Sequence, residues 1–347
     1  MKIKTFTVYG LFRTHDCQLN LSDSGLTYVH AVNATGKSTI LRLMYSILTG
    51  DEHTIRGVPF DRADLTFSDD TNLVVENEED ELRITVIRNE VPTSITVEDL
   101  VDMFDAVYMS PERSTVRKMD GRLVPALEAY ANELHDEIMF AKEHKDLSEI
   151  TCEDDEDMTD EEIIFWSKDL KAKLDFINEA GFSVNMPSGM RFPPTRYDLV
   201  DERKAYMGLA RSLEEYVKRN YLLAESMIVY MDIINGLLTD KHIYIKDNSH
   251  IGVEMDSGTS LSLSYLSSGE RQIMIIFYRL LFHAAPGAIV LLDEPEVSLH
   301  ISWQQKLGGI FLDVCRLRDL QIIIATHSPQ IIHDRWDLAT ELRVDFA

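Results

Sequence analysis

Apolar and polar residues alternate over 2–9, 18–21 and 26–30, which predicts three short strands joined by turns. Residues 37–48 then carry Ile40, Leu41, Leu43, Met44, Ile47 and Leu48 at helical spacing, with Gly50 as the stop. Alternation returns at 63–68, 72–76, 82–88 and 94–98, which read as antiparallel strands separated by acidic turns, and Ala106–Met109 is one more apolar strand. From Leu123 the period becomes that of helix, over 124–145, 160–179 and 198–238, with Pro187, Pro193 and Pro194 breaking the run. The last of these is long for a globular helix and is open to being two. After Asp240 short strands resume at 242–246, 251–255 and 260–264, followed by an apolar helix over 272–282. Two runs, 288–292 and 321–325, apolar apart from Gln321, flank a helix expected at about 301–316. Runs of that kind indicate parallel strands covered on both faces. The pattern therefore predicts an α/β chain with mixed and parallel sheets flanked by helices. It divides into a first half, 1–122, a helical insertion, 123–238, and a second half, 239–347.

Candidate chemistry sits where the apolar runs stop. Tyr28–Thr39 reads YVHAVNATGKST: a strand ends in small residues, and Gly36-Lys37-Ser38-Thr39 opens a helix. Backbone amides of Asn33, Ala34, Thr35 and Gly36, with the positive end of the helix, suit phosphates. Lys37 would reach between those phosphates, and the Ser38 hydroxyl is placed to ligate Mg²⁺. The full loop pattern has glycine five residues before Gly36, where this chain has Ala31, and Ala34 also replaces a frequent glycine. A chance small-residue helix start is the alternative. Asp293 ends the first buried run, where a carboxylate can hold Mg²⁺ through its water shell, and Glu294 follows where it can polarise a water. An acidic pair facing solvent is the bland reading. His327 ends the second buried run and, in the same crevice, can contact a phosphate or orient the water; alone it reads equally as a core or surface histidine. Ser267-Ser268-Gly269, at the head of a helix, is a second anion-shaped turn. One nucleotide does not need both turns in one chain. The economical arrangement is a two-fold dimer in which ATP lies between one subunit's Lys37 loop and the other's Ser267–Gly269 turn.

Charge narrows the partners. The 347 residues include 59 acidic and 34 basic, a formal net charge of −25, which repels DNA phosphates unless a local basic patch overrides it. Part of the acidity is local, in Glu153–Asp157 and Asp160–Glu162, a block that reads as a solvated loop, a docking surface for a basic partner or a metal site. Arg203-Lys204 and Lys218-Arg219 have acidic neighbours and read as solvated faces. No run of eighteen apolar residues predicts a membrane span, and the start lacks the features of a signal peptide. Cys17, Cys152 and Cys315 are scattered without ligand spacing, which suits a reducing cytoplasm and predicts no structural zinc.

Taken together, these motifs resemble the ABC-type ATPases, and within them the chromosome-maintenance and repair branch with the related OLD-like ATPases. Ala31–Thr39 matches the Walker A motif apart from Ala31 and Ala34. Leu266–Glu270 is similar to the ABC signature, with Ser268 in place of the usual first glycine. Ile289–Glu296 matches Walker B with its catalytic glutamate, Ser298-Leu299-His300 falls where the D-loop belongs, and Thr326–Pro329 matches the switch histidine. Arg13 resembles the N-terminal arginine that reaches phosphate in the repair ATPases. Ser110-Pro111-Glu112 stands where the family carries its Q-loop glutamine.

The resemblance implies an ABC-ATPase head interrupted by a helical insertion. It also implies ATP and Mg²⁺ as ligands, hydrolysis that can be slow, and assembly as a homodimer or a higher even-numbered homo-oligomer. The insertion is too short for cohesin-like coiled-coil arms, and the chain leaves no room for the Toprim nuclease domain of OLD nucleases. A stand-alone ATPase subunit that regulates a separate effector, a nuclease or toxin, in anti-phage defence is the first expectation. A DNA-binding repair ATPase of the RecF-like group and an ATP-binding scaffold with little turnover are the alternatives.

Overall fold

The computed structural model describes residues 1–31, 36–78, 81–111, 115–117, 121–142, 158–182 and 186–346. Asn33, Ala34 and Thr35 of the expected phosphate loop, Glu112, and the acidic run 153–157 lie outside the described residues.

The chain opens with β1 (Ile3–Leu11), β2 (His15–Asn20) and β3 (Leu26–His30), then α1 (Lys37–Thr49) and α2 (Glu52–Gly57). β4 (Arg62–Phe67), β5 (Asn72–Glu78), β6 (Glu81–Arg88) and β7 (Val91–Ile95) follow as a meander. β7 stops short of the expected strand because Thr96 caps α3 (Val97–Val101) in a reciprocal box with Asp99. Next come β8 (Ala106–Met109), the short β9 (Thr115–Arg117) and β10 (Leu123–Pro125), and the long helices α4 (Ala126–Lys142), α5 (Asp160–Glu179) and α6 (Arg196–Leu237). Thr159 with Glu162 and Thr195 with Asp198 box the starts of α5 and α6. α6 breaks at Glu202 (φ −126°, ψ 29°), so the long helical pattern is two helices merged across a kink near its start. β11 (Lys241–Ile245), β12 (Ile251–Met255) and β13 (Ser260–Leu261) form an antiparallel sheet. β13 ends early because Ser262 caps a 3₁₀ turn at Leu263–Tyr265. The chain closes with α7 (Ser268–Tyr278), β14 (Ile289–Asp293), α8 (Ile301–Arg318), β15 (Gln321–Ala325), α9 (Pro329–Ile332), β16 (Ala339–Glu341) and β17 (Arg343–Phe346).

Two compact units result, one of residues 1–117 with 267–347 and the other of 118–266. The strands between 241 and 261, grouped by pattern with the second half of the chain, fall in the unit that holds the long helices.

The first unit is built of two sheets. One is antiparallel, in the order β17-β2-β1-β4-β5-β6-β7; the other is all parallel, in the order β16-β3-β15-β14-β8. Ile40, Leu43, Met44 and Ile47 of α1 share one apolar cluster with Phe6, Leu19 and Leu65 of the first sheet and with Val29, Leu291 and Ile323 of the second. Each such side chain contributes roughly 1.5–3 kcal/mol by leaving water, so α1 is fixed between the sheets. β14 and β15 are buried along their whole length, as the apolar runs Ile289–Leu292 and Ile322–Ala325 predict. Their register pairs Asp293 with Ala325, and Ala325 with Val29 on β3, so three strands end level beside the start of α1.

Candidate functional site

α1 begins at Lys37 behind Gly36, whose backbone is left-handed (φ 83°, ψ 20°) and which supplies no side-chain cap. A non-glycine residue there would carry strain of roughly 1–2 kcal/mol. The first amides of α1 are thus presented without the side-chain acceptor that most helices carry, an arrangement suited to an anion. Lys37 is only 5% exposed. Its Nζ donates to the Ala31 carbonyl at 2.8 Å and lies 3.3 Å from His327 Nδ1. Burial lowers the pKa of this ammonium, while Glu294, Asp293 and Glu296 oppose that shift.

Asp293, at the end of β14, is 2% exposed and uses both oxygens. Ser38 Oγ donates to Oδ1 at 3.1 Å, and the Tyr108 hydroxyl donates to Oδ2 at 3.1 Å. Burial, reinforced by the neighbouring Asp293 carboxylate, pushes the Tyr108 hydroxyl up to about 12. The phenol therefore stays protonated and keeps donating. The Ser38 hydroxyl and the Asp293 carboxylate are hard oxygen donors in contact, and that pair fits Mg²⁺.

Glu294 follows with a left-handed backbone (φ 46°), a conformation costing roughly 1–3 kcal/mol in a non-glycine residue. Its amide donates to the Ala325 carbonyl at 2.9 Å, which ties the ends of β14 and β15 together. Its partly exposed carboxylate stands 3.5 Å from His327 Nε2. The His327 ring therefore lies between Lys37 on one edge and Glu294 on the other. Two residues on, Glu296 is buried, and its Oε1 accepts from the Thr326 hydroxyl, from the His327 amide at 3.0 Å and from the Ser328 amide at 3.3 Å.

The remaining candidates lie around this group in different ways. Arg13 has a left-handed backbone (φ 59°) in the β1–β2 turn, next to Phe12, whose ring would lie 3.5 Å from a Cβ on Gly36. Arg13 also lines a cleft of about 820 Å³ with Arg56, Phe60, Asp61, Arg62 and Glu76. Thr39 sits half-buried in the first turn of α1. Ser267 and Ser268 are exposed, and Ser267 caps α7 by accepting from the Glu270 amide while Glu270 accepts from the Ser267 amide. Gly269 is pressed against Ser298, whose carbonyl oxygen would be 2.6 Å from an added Cβ. That close approach within the chain already favours a glycine at this position. Lys37, Ser38, Asp293, Glu294 and His327 come together, whereas the contacts of Ser267 and Gly269 run elsewhere.

Sequence reasoning missed two partners. Tyr108 had no motif to mark it; the available signal was its place on the strand paired with β14, where it stands opposite Leu291. Glu296 was visible in the run Asp293–Glu296, but nothing in the spacing distinguishes a buried anchor from a reactive carboxylate.

A family model described as "AAA domain, putative AbiEii toxin, Type IV TA system" matches residues 32–333. The chain is 34% identical over 122 residues to the cytochrome c biogenesis ATP-binding export protein CcmA of Bradyrhizobium diazoefficiens, covering 35% of this chain and 54% of that protein. It is 35% identical over 92 residues to the retron Ec83 probable ATPase of Escherichia coli, covering 22% of this chain and 16% of that protein. The chain thus spans about half the length of the first relative and about a sixth of the second. Among solved structures it is similar to an Smc head bound to the C-winged helix domain of ScpA, with a TM-score of 0.50 at 12% identity over 100% of this chain and 98% of the other. That likeness concerns the fold, an α/β head of mixed sheets and helices. No helix among the described residues is long and apolar enough to cross a membrane.

Proposed function

The chain belongs to the AAA-domain family that includes the putative AbiEii toxin, and on that premise we propose that it binds and hydrolyses ATP with Mg²⁺, closing as a dimer or a higher even-numbered assembly around the nucleotide. In this reading the Gly36–Thr39 turn, with Asn33, Ala34 and Thr35 before it, cradles the phosphates, and Lys37 neutralises them. Ser38 and Asp293 would hold Mg²⁺, which when bound offsets phosphate charge. Glu294 accepts the proton of the attacking water, and His327 orients that water or meets the terminal phosphate. Arg13 reaches the phosphates from the β1–β2 turn. Ser267, Ser268 and Gly269 of a second subunit cover the far side.

One observation carries the reading: Lys37, Ser38, Asp293, Glu294 and His327 meet at the level ends of β14 and β15 and the start of α1. A bare helix start, hard oxygen donors and a partly exposed carboxylate beside an imidazole are the parts that water attack on a phosphate requires. We further propose that the ATP-bound state controls a separate effector protein in antiviral defence. The family description, which names a toxin system, and the identity shared with a retron probable ATPase support that extension.

Replacing Glu294 with Gln removes the proton acceptor and leaves the phosphate cradle intact. Turnover should fall about 100- to 10,000-fold, while ATP binding persists and the closed assembly accumulates. Size exclusion with multi-angle light scattering, with and without ATP, reads this directly. A variant that binds ATP and stays monomeric sinks the closing-dimer reading.

A further inference from the structure

We propose that Glu296 is the positioning residue of His327: its buried carboxylate clamps Thr326–Ser328 and so sets where the imidazole stands between Lys37 and Glu294. The inference rests on the ATPase reading for its catalytic consequence, while the clamp itself stands on geometry.

Glu294 and Glu296 have the same side chain two residues apart, yet their surroundings are opposite. Glu294 is partly exposed and faces His327 Nε2 at 3.5 Å. Glu296 is 8% exposed, and one oxygen takes three hydrogen bonds from consecutive residues of the loop after β15. A carboxylate so occupied is a strong anchor for backbone amides. Its Oε2 is buried with no hydrogen-bond partner among the described residues, a cost that a purely structural core position would avoid with an apolar side chain. Within the loop, the Thr326 hydroxyl, which donates to Glu296, also accepts from the Ser328 amide at 3.0 Å, and the Thr326 amide donates to the Val29 carbonyl at 3.1 Å.

On its other flank the same loop is tied to α8. Ser328 Oγ donates to Gln304 Oε1 at 2.7 Å, and Gln304 Nε2 donates to the Leu299 carbonyl at 3.0 Å. The His327 backbone is thus held from β14 through Glu296 and from α8 through Gln304. Among the described residues, only Glu296 bonds the amide of His327 itself.

The test is a double-mutant cycle joined to amide exchange. Glu296→Ala should lower kcat for ATP about 10- to 100-fold, as expected when a general acid–base group is misplaced, with KM changed less than about threefold. In a Glu296→Ala/His327→Ala protein the loss should match His327→Ala alone to within about twofold, because both changes remove one function. Glu296→Gln, which keeps an acceptor oxygen for the two amides, should restore kcat to within about threefold of the parent. Thr326→Val provides an independent cut of the clamp should Glu296→Ala fail to fold, and it should show the same non-additivity with His327→Ala. Losses that multiply in the double variant, or a Glu296→Gln protein as impaired as Glu296→Ala, overturn the positioning role. Hydrogen–deuterium exchange is read on the same proteins without nucleotide. The His327 amide should exchange at least about tenfold faster once the acceptor is removed, and unchanged exchange overturns the clamp. Faster exchange in a chain whose parent hydrolyses no ATP would instead overturn the ATPase reading, so the two failures are distinguishable.

Discussion

Two helix starts in the first unit, those of α1 and α7, present small residues and were read from sequence as anion sites. They are built differently. α1 starts behind a left-handed glycine with no side-chain cap, and five polar side chains from three elements converge on it. α7 starts behind Ser267, which makes a reciprocal box with Glu270, and its Gly269 is packed on the Ser298 carbonyl. Amides that lack a cap favour an external acceptor, whereas a boxed start already has one inside the chain. On the proposed reading, the uncapped α1 start takes phosphate by itself. The α7 turn can add to it only from outside, through its exposed serines, and that asymmetry is the physical content of a composite site shared between subunits.

The largest effect should come from separating the two halves. Lys37→Ala removes a charge-assisted contact and should weaken ATP binding at least about 100-fold. Ser268→Arg places a bulky side chain on the exposed turn and should abolish turnover while leaving ATP binding by the isolated chain unchanged. If each site draws one half from each subunit, an equal mixture of the two inactive proteins recovers turnover to about a quarter of the parental rate, since about half of the random dimers carry one intact site. A steady-state phosphate-release assay on the mixture decides the matter. No recovery would mean that both halves belong to one chain, or that the α7 turn has no part in the reaction.

Gly269 offers a smaller and more local break. An added Cβ would lie 2.6 Å from the Ser298 carbonyl, so Gly269→Ala must push the 298–299 backbone away from α7. Overpacking of this kind costs about 1–3 kcal/mol, which in a chain of this size lowers Tm by roughly 1.5–4 °C. Differential scanning fluorimetry measures it. A Tm within about a degree of the parent would show that the 298–299 segment gives way freely. In that case the glycine would be explained by ligand approach rather than by packing.

The contrast also explains which parts of the molecule could be read from its sequence. β14 and β15 announced themselves because strands buried on both faces have no polar alternation to confuse them, and α5 matched its expected span because its ends carry capping chemistry. The start of α7 was placed four residues late. Its first turn is Ser-Gly-Glu-Arg, which has no apolar period, and only the Ser267–Glu270 box reveals that the helix has already begun. Within the site, Lys37, Ser38, Asp293, Glu294 and His327 were legible because motif spacing and strand ends both point to them. Tyr108 and Glu296 were not. Their importance lies in which oxygen meets which donor across strands far apart in sequence, and no local pattern encodes that. The Ser298 contact of Gly269 was equally hidden, since a glycine in a motif looks the same whether a ligand or a carbonyl occupies the space beside it.

Ser267 gives the finest discrimination, because one hydroxyl is asked to do two jobs. As the cap of α7 it accepts from the Glu270 amide at 3.3 Å, and as part of the proposed composite site it meets phosphate from a second subunit. Ser267→Ala loses both roles. The lost cap should cost about 1 kcal/mol, a fall in Tm of roughly 1–2 °C. Ser267→Asp separates the roles, since aspartate caps a helix as well as serine does but brings a negative charge toward the phosphates. Its Tm should stay near that of the parent, while ATP-driven assembly weakens at least about tenfold, as like-charge juxtaposition at an interface requires. Light scattering across a titration of ATP supplies the second readout. If the aspartate variant assembled as well as the parent, Ser267 would be a helix cap and nothing more, and the contribution from the second subunit would have to come from Ser268 alone.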